Sequence, residues 1–153
     1  MRTVLTYGTF DLFHIGHVRL LERARALGDR LIVGVSSDEF NAKKGKHSVV
    51  SYAHRAAIVG AMRAVSEVFP EHDWDQKTAD IARFGAHVLV MGDDWAGKFD
   101  HFKSQCEVAY LPRTSGISTT ELKTALSPFR PEKLEELRKG LDALQDIIQQ
   151  LDI

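Results

Sequence analysis

The sequence predicts an α/β domain on an open, mostly parallel sheet, followed by a separate amphipathic helix. Three observations carry this reading. β-rich runs alternate with helical stretches along residues 1–127. The runs are nearly continuous in apolar residues, as strands covered on both faces by helices require. After Pro128 the pattern changes to a heptad of leucine and isoleucine. The expected division is a domain over 1–127 and a helical extension over 128–153.

Thr3 to Tyr7 (TVLTY) reads as the first strand, ending at Gly8. Gly16 to Leu27 is helical, with Val18, Leu21, Ala24 and Leu27 on one face, and Gly28-Asp29 stops it. Leu31 to Val35 (LIVGV) completes a βαβ unit. Residues 37–51 are polar, with Lys43, Lys44 and Lys46 around Gly45, and are expected to form a mobile loop. Tyr52 to Val65 is helical, Glu67 to Phe69 a short strand closed by Pro70, and Gln76 to Phe84 a helix ending at Gly85. Val88 to Met91 is a buried strand, and Glu107 to Leu111 is the last, stopped by Pro112. Ser118 to Leu126 is a short helix in which Ser118 as N-cap and Glu121 at N3 form a capping box. Glu132 to Ile153 reads as one helix whose Leu134, Leu137, Leu141, Leu144, Ile148 and Leu151 follow a 3-4-3-4-3 spacing. That seam could zip against a second chain or dock on its own domain, and a homodimer is the expectation.

Composition narrows the function. Lysine and arginine number 20 against 21 aspartates and glutamates, for a formal net charge of -1. A basic nucleic-acid binder declares itself by bulk charge, and this chain does not, so any phosphate must be held by a local cluster. A single cysteine, Cys106, excludes a disulfide framework within the chain and a Cys-rich zinc site. No apolar stretch approaches the ~20 residues that span a bilayer, and the N-terminus carries no signal core. A cytoplasmic location without membrane insertion is expected.

The strongest chemical signal is Gly8-Thr9-Phe10-Asp11-Leu12-Phe13-His14-Ile15-Gly16-His17, between the first strand and the first helix. In an open α/β sheet ligands bind beyond the carboxyl ends of the strands. A helix starting here offers free N–H groups and the positive end of its dipole to an anion. His14 and His17 could then face one phosphate. The alternatives are a surface coincidence or a pair of metal ligands, for which no third ligand is evident nearby. The segment is neither a Walker loop nor a GxGxxG fingerprint.

GTFDLFHIGH resembles the HxGH region of the nucleotidyltransferase superfamily, which includes the class I aminoacyl-tRNA synthetases. Arg113-Thr114-Ser115-Gly116-Ile117-Ser118-Thr119-Thr120 resembles the RTxGISTT signature of the cytidylyltransferases. Tyr52-x-His54-Arg55, Met91-Gly92-Asp93-Asp94-Trp95 and Tyr110-Leu111-Pro112 match as well. Over residues 1 to about 127 the chain is most similar to the bacterial members that use glycerol 3-phosphate. The resemblance implies a Rossmann-like open parallel sheet flanked by helices, of the HUP/nucleotidyltransferase type. It implies transfer of CMP from CTP, accompanied by Mg²⁺, to sn-glycerol 3-phosphate, giving CDP-glycerol and pyrophosphate for teichoic-acid or capsule synthesis. Another small phosphorylated alcohol such as phosphoethanolamine or ribitol phosphate, ATP in place of CTP, or a catalytically silent nucleotide-binding assembly module are the other readings.

The same resemblance assigns roles. His14, His17, Lys44, Lys46 and Arg113 form the catalytic set, with the histidines at the triphosphate and the α-phosphoryl transition state. Thr9, Phe10, Ile15, Gly16, Lys46, Arg63 and Asp94 join the run Arg113 to Thr120 (Thr114, Ser115, Gly116, Ile117, Ser118, Thr119) around the nucleotide. Lys44, Lys77, Asp11 and Trp74 are assigned to the substrate. Asp11 is equally readable as a turn residue or helix-entry cap and as a magnesium contact, and Trp74 equally as a core or interface aromatic. His54 and Arg55 are expected to orient the loop or a subunit contact. His47, His72, His87 and His101 read as incidental, and no resident metal ligand set is assigned.

Overall fold

A computed structural model describes residues 1–128 and 131–151. The strands are β1 (Thr3–Gly8), β2 (Arg30–Ser36), β3 (Glu67–Glu71), β4 (Val88–Gly92) and β5 (Glu107–Leu111). The helices are α1 (Ile15–Arg25), α2 (Asp38–Lys43), α3 (Tyr52–Gly60), α4 (Lys77–Phe84), α5 (Thr119–Leu126) and α6 (Pro131–Leu151), with short 3₁₀ turns at Asp93–Trp95 and Asp100–Ser104. All four strand pairings are parallel, in the order β3-β2-β1-β4-β5. The expected α/β class and parallel sheet are therefore what the chain forms.

Strand alternation sorts the core into two layers. Val4, Leu31, Val33, Val35, Val88 and Val90 meet Leu21 and Ala24 of α1 and Val59 of α3 on one face. Leu5, Tyr7, Ile32, Phe69, Leu89 and Met91 meet Ile81 of α4 with Phe99 and Phe102 on the other. Both layers are buried, and for that reason the strands read as unbroken apolar runs. The strand order reverses between β1 and β4, and their carboxyl ends open the crevice where such sheets bind ligands.

Four local readings change. β3 does not close at Pro70 but runs on to Glu71, because Pro70 sits on an edge strand where its missing N–H is tolerated. The stretch 37–51 holds a helix, α2, whose Ser37 hydroxyl caps the Phe40 N–H at 3.1 Å. Asp38 and Glu39 in its first turn and Lys43 in its last suit the helix dipole, a pattern that reads from sequence as a plain charge run. α3 stops at Gly60, so Arg63 lies in the turn before β3 and not on a helix. α6 opens one residue early, with Pro131 in the first turn where its missing N–H costs nothing. Residues 129, 130, 152 and 153 of the expected extension lie outside the described residues.

The chain divides into two compact units, Met1–Thr119 and Thr120–Ile153. The break falls within α5, ahead of the residue 127 at which the sequence ends its first domain. No described helix is long and apolar enough to cross a membrane.

Candidate active site

The turn after β1 is held in an uncommon backbone conformation. Phe10 and Leu12 have φ of 55° and 47°, the left-handed region that non-glycine residues avoid. The buried Phe10 and Asp11 side chains hold the turn there. The Phe10 side chain is 4% exposed and packs in the first core layer. The Asp11 carboxylate, 3% exposed, accepts the N–H groups of Leu12 (3.1 Å), Val49 (2.8 Å) and Val50 (2.9 Å). Asp11 thus anchors the 44–51 segment to the turn, which is the turn-residue reading of the sequence.

The two histidines enclose the start of α1. His14 is its N-cap, and its Nδ1 accepts the Gly16 N–H at 3.0 Å. His17 Nδ1 reaches back to accept the His14 N–H at 3.2 Å. This is a capping box built from imidazoles. It also fixes the tautomers: with both Nδ1 atoms accepting, each neutral ring carries its proton on Nε2 and presents an Nε2–H donor. The rings stack at 3.9 Å between centroids, and His17 is further flanked by Phe10 and Phe13 at 5.4 and 5.3 Å. Gly16 permits this, because a Cβ there would lie 2.7 Å from the His14 ring.

Burial, then the neighbouring His14, push the His17 pKa down to about 4, while Asp11 opposes the shift. His14 is lowered by burial. Both rings are therefore neutral hydrogen-bond donors at pH 7 in the free protein. Thr119 closes this corner. Its hydroxyl donates to the Asp11 carbonyl at 3.0 Å and stands 3.4 Å from His14 Nε2. The end of the 113–119 loop is thereby fixed beside the histidines, and Ile117 lies against the Gly16 backbone. Arg113, mostly exposed, pairs with Asp94 at 2.7 Å, which joins the carboxyl ends of β4 and β5.

A second cluster forms at the ends of β2 and β3. Lys77 of α4, which the resemblance assigns to the substrate, is 1% exposed and pairs with Glu71 at 2.6 Å. Tyr7, Trp74 and Phe99 surround its ammonium at 4.4, 5.1 and 5.5 Å from their centroids. Glu71 also accepts the Ser36 hydroxyl at 2.9 Å, and the Lys44 ammonium donates to that hydroxyl at 3.2 Å. Lys44 lies over the Phe40 ring at 4.2 Å and near Trp74 at 5.5 Å. Trp74 touches Phe40 and Trp95, and its own ring is 44% exposed, so it forms an open wall of this recess. Lys77 pairs with the Glu71 carboxylate directly and Lys44 reaches it through the Ser36 hydroxyl, so both ammonium groups line one aromatic-walled recess. Burial pushes the Lys44 pKa down to about 8, with Glu71 opposing and Lys46, Lys77 and Arg55 adding to the fall.

Arg55 connects the two clusters. Its buried guanidinium donates to the carbonyls of Thr9 (2.7 Å), Ser36 (2.8 Å) and Val50 (2.9 Å) and to Asp38 (2.8 Å). The sequence expectation that Arg55 orients the loop corresponds to these bonds. Asn41, also buried, meets Thr9 Oγ1 at 3.2 Å and donates to Ser48 at 2.7 Å, while its carbonyl accepts the Lys46 N–H at 2.9 Å. Lys46 is thus held at its backbone with an exposed side chain.

Most assigned residues of the first unit converge on these two clusters. Arg63 does not: it precedes β3, and the nearby Ser66 bonds Leu31 at the start of β2, so Arg63 stands at the amino ends of the strands. A family position alone carries no information on which end of a sheet a turn occupies. Thr120 falls in the second unit. Sequence reasoning missed Glu71, Asn41 and Asp38. A lone Glu after a short strand or an Asn inside a charged stretch gives no signal until its partners, 6 to 35 positions away, are placed against it.

The Cytidylyltransferase-like family model matches residues 5–125, from β1 through α5. The chain belongs to that family. It is 57% identical over 127 residues to the glycerol-3-phosphate cytidylyltransferase of Bacillus subtilis, covering 83% of this chain and 98% of that protein. The Staphylococcus aureus glycerol-3-phosphate cytidylyltransferase is 52% identical over 126 residues, covering 82% and 96%. Among solved structures, the lipopolysaccharide core biosynthesis protein of Thermoplasma volcanium superposes with a TM-score of 0.65 at 23% identity, over 74% of this chain and 98% of that one, and shares the fold. As a cytidylyltransferase-like protein, the chain carries the expected nucleotidyltransferase architecture, and α6 lies beyond the matched region.

Proposed function

We propose that the protein transfers CMP from CTP to sn-glycerol 3-phosphate, releasing CDP-glycerol and pyrophosphate in the cytoplasm. The observation that carries the reading is the imidazole capping box, two Nε2–H donors preorganised at a helix N-terminus beside the Arg113–Thr119 loop. The acceptor phosphate oxygen attacks the α-phosphorus of CTP in line, the bond to the β-phosphate oxygen breaks, and pyrophosphate leaves with its charge. Such a transfer needs donors aimed at the oxygens that gain charge, and little covalent chemistry. His14 and His17 donate there, while Arg113, Lys46 and the α1 N-terminus meet the triphosphate. The Lys44–Lys77 recess takes the acceptor phosphate, with Trp74 along the polyol.

Magnesium enters as part of the substrate, MgCTP. Asp11 is committed to backbone N–H groups and Asp94 to Arg113. Among the described residues no group of three or more His, Cys, Asp or Glu is placed to hold a metal ion. This donor set fits an ion carried largely by phosphate oxygens and water.

The test is an acceptor panel: glycerol 3-phosphate, ribitol phosphate and phosphoethanolamine, each with MgCTP or MgATP. CDP-glycerol from the first pairing is expected to dominate. Pyrophosphate release with every other pairing but not this one would overturn the substrate assignment, and nucleotide binding without turnover in all of them would overturn the enzyme.

A pH profile tests the recess. Deprotonating Lys44 removes charge from the acceptor site, so kcat/KM for the acceptor is expected to fall as pH rises through about 8. The Lys44→Arg variant keeps its charge and should move that limb beyond pH 9. Identical alkaline limbs in the two proteins would remove Lys44 from the role.

A further inference from the structure

We propose that α6 pairs with α6 of a second copy as an antiparallel coiled coil centred between residues 142 and 143. The inference rests on the extension alone and is independent of the substrate assignment. α6 presents Leu134, Leu137, Leu141, Leu144, Ile147, Ile148 and Leu151 on one side, between 49% and 66% exposed. A continuous apolar stripe of this size on a helix marks an interaction surface. Seven such side chains on each of two copies would bury on the order of 1,200 Å², the lower end of specific interfaces.

Charge selects the occupant. The described polar positions of α6 hold five acidic residues (Glu132, Glu135, Glu136, Asp142, Asp146) against three basic ones (Lys133, Arg138, Lys139). An excess of acid is the wrong sign for an anionic lipid surface. A second copy fits better, because the helix complements itself in one orientation. With Leu134, Leu141 and Ile148 at a and Leu137, Leu144 and Leu151 at d, Lys133 and Gly140 fall at g and Arg138 at e. A parallel pair sets Lys133 against Arg138 of the other chain, twice, a like-charge contact. The antiparallel pair removes it, placing Arg138 beside Gln145. It also lays Ile147, at g, across Gly140, likewise at g, twice. A Cβ added at Gly140 meets nothing within 4 Å, so the site is an open notch. Within α6 the glycine weakens the helix; across the pair it receives the isoleucine that otherwise stands exposed.

The layers in this register are Leu134 with Leu151, Leu137 with Ile148 and Leu141 with Leu144. Cysteine cross-linking of the full chain tests the arrangement, in a Cys106→Ser background with two differently tagged proteins. Mixing Leu134→Cys with Leu151→Cys and oxidising mildly is expected to give the mixed disulfide as the dominant dimer. Leu134→Cys alone should give none, since two such residues stand about 25 Å apart at 1.5 Å per residue. A homodisulfide at 134 would overturn the antiparallel order. No mixed disulfide, with both proteins folded, would overturn the pairing itself. CTP turnover of the same samples, measured separately, keeps a failure here apart from a failure of the proposed activity.

Discussion

Replacing His17 by alanine is expected to lower kcat by roughly 100- to 1,000-fold, the usual cost of one preorganised donor to a developing oxyanion. His17 is neutral at pH 7, because burial and the stacked His14 ring disfavour its charged form. Its contribution in the free enzyme is therefore a directed Nε2–H, fixed by the bond from the His14 N–H to Nδ1. Alanine removes that donor and one cap bond, so a stability loss of about 1 kcal/mol should accompany it. Steady-state kinetics below the melting transition separate the two effects. A fall in kcat with a nearly unchanged KM for CTP identifies an interaction made in the transition state. A rise in KM alone would reassign the ring to ground-state binding.

Glu71→Ala has the largest expected effect on folding. It leaves the Lys77 ammonium, 1% exposed, among aromatic rings without its ion-pair partner, and breaking one half of a buried pair costs about 3–5 kcal/mol. For a domain of this size the melting temperature should fall by roughly 10 °C. Glu71→Leu combined with Lys77→Met removes both charges and should recover much of the stability. The acceptor site should not recover, because one ammonium is gone and Lys44 has lost the neighbour that orients Ser36. Scanning calorimetry and the acceptor KM of the three proteins decide this. A single variant as stable as the wild type would refute the buried-pair account, and a double variant with wild-type acceptor KM would refute the placement of the phosphate.

The legible parts of the sequence were those whose cause is local. Short apolar runs of three to five residues gave the strands. The Gly8–His17 segment gave a ligand site at the first strand–helix junction, and Ser118 gave the start of the last helix of the family region. The 37–51 stretch was misread because α2 buries only Phe40 and Asn41, too few positions to leave a helical period. Arg63 was misplaced because the end of α3 is decided by Gly60 and the turn after it, five residues earlier than apolar content suggests.

Composition and pattern alone determined an α/β chain, without bulk positive charge, carrying two histidines at a helix start and a heptad helix at its end. The tertiary structure decided which imidazole nitrogen bears the proton, that Asp11 anchors a loop, that Lys77 is buried, and that Glu71 holds two lysines in one recess. The physical reason is separation along the chain. Helical and strand periods report neighbours within a few residues, whereas Asp11 meets Val49, Arg55 meets Thr9, and Thr119 meets Asp11 across 38, 46 and 108 positions. Such bonds exist only once the sheet has brought the carboxyl ends of its strands together.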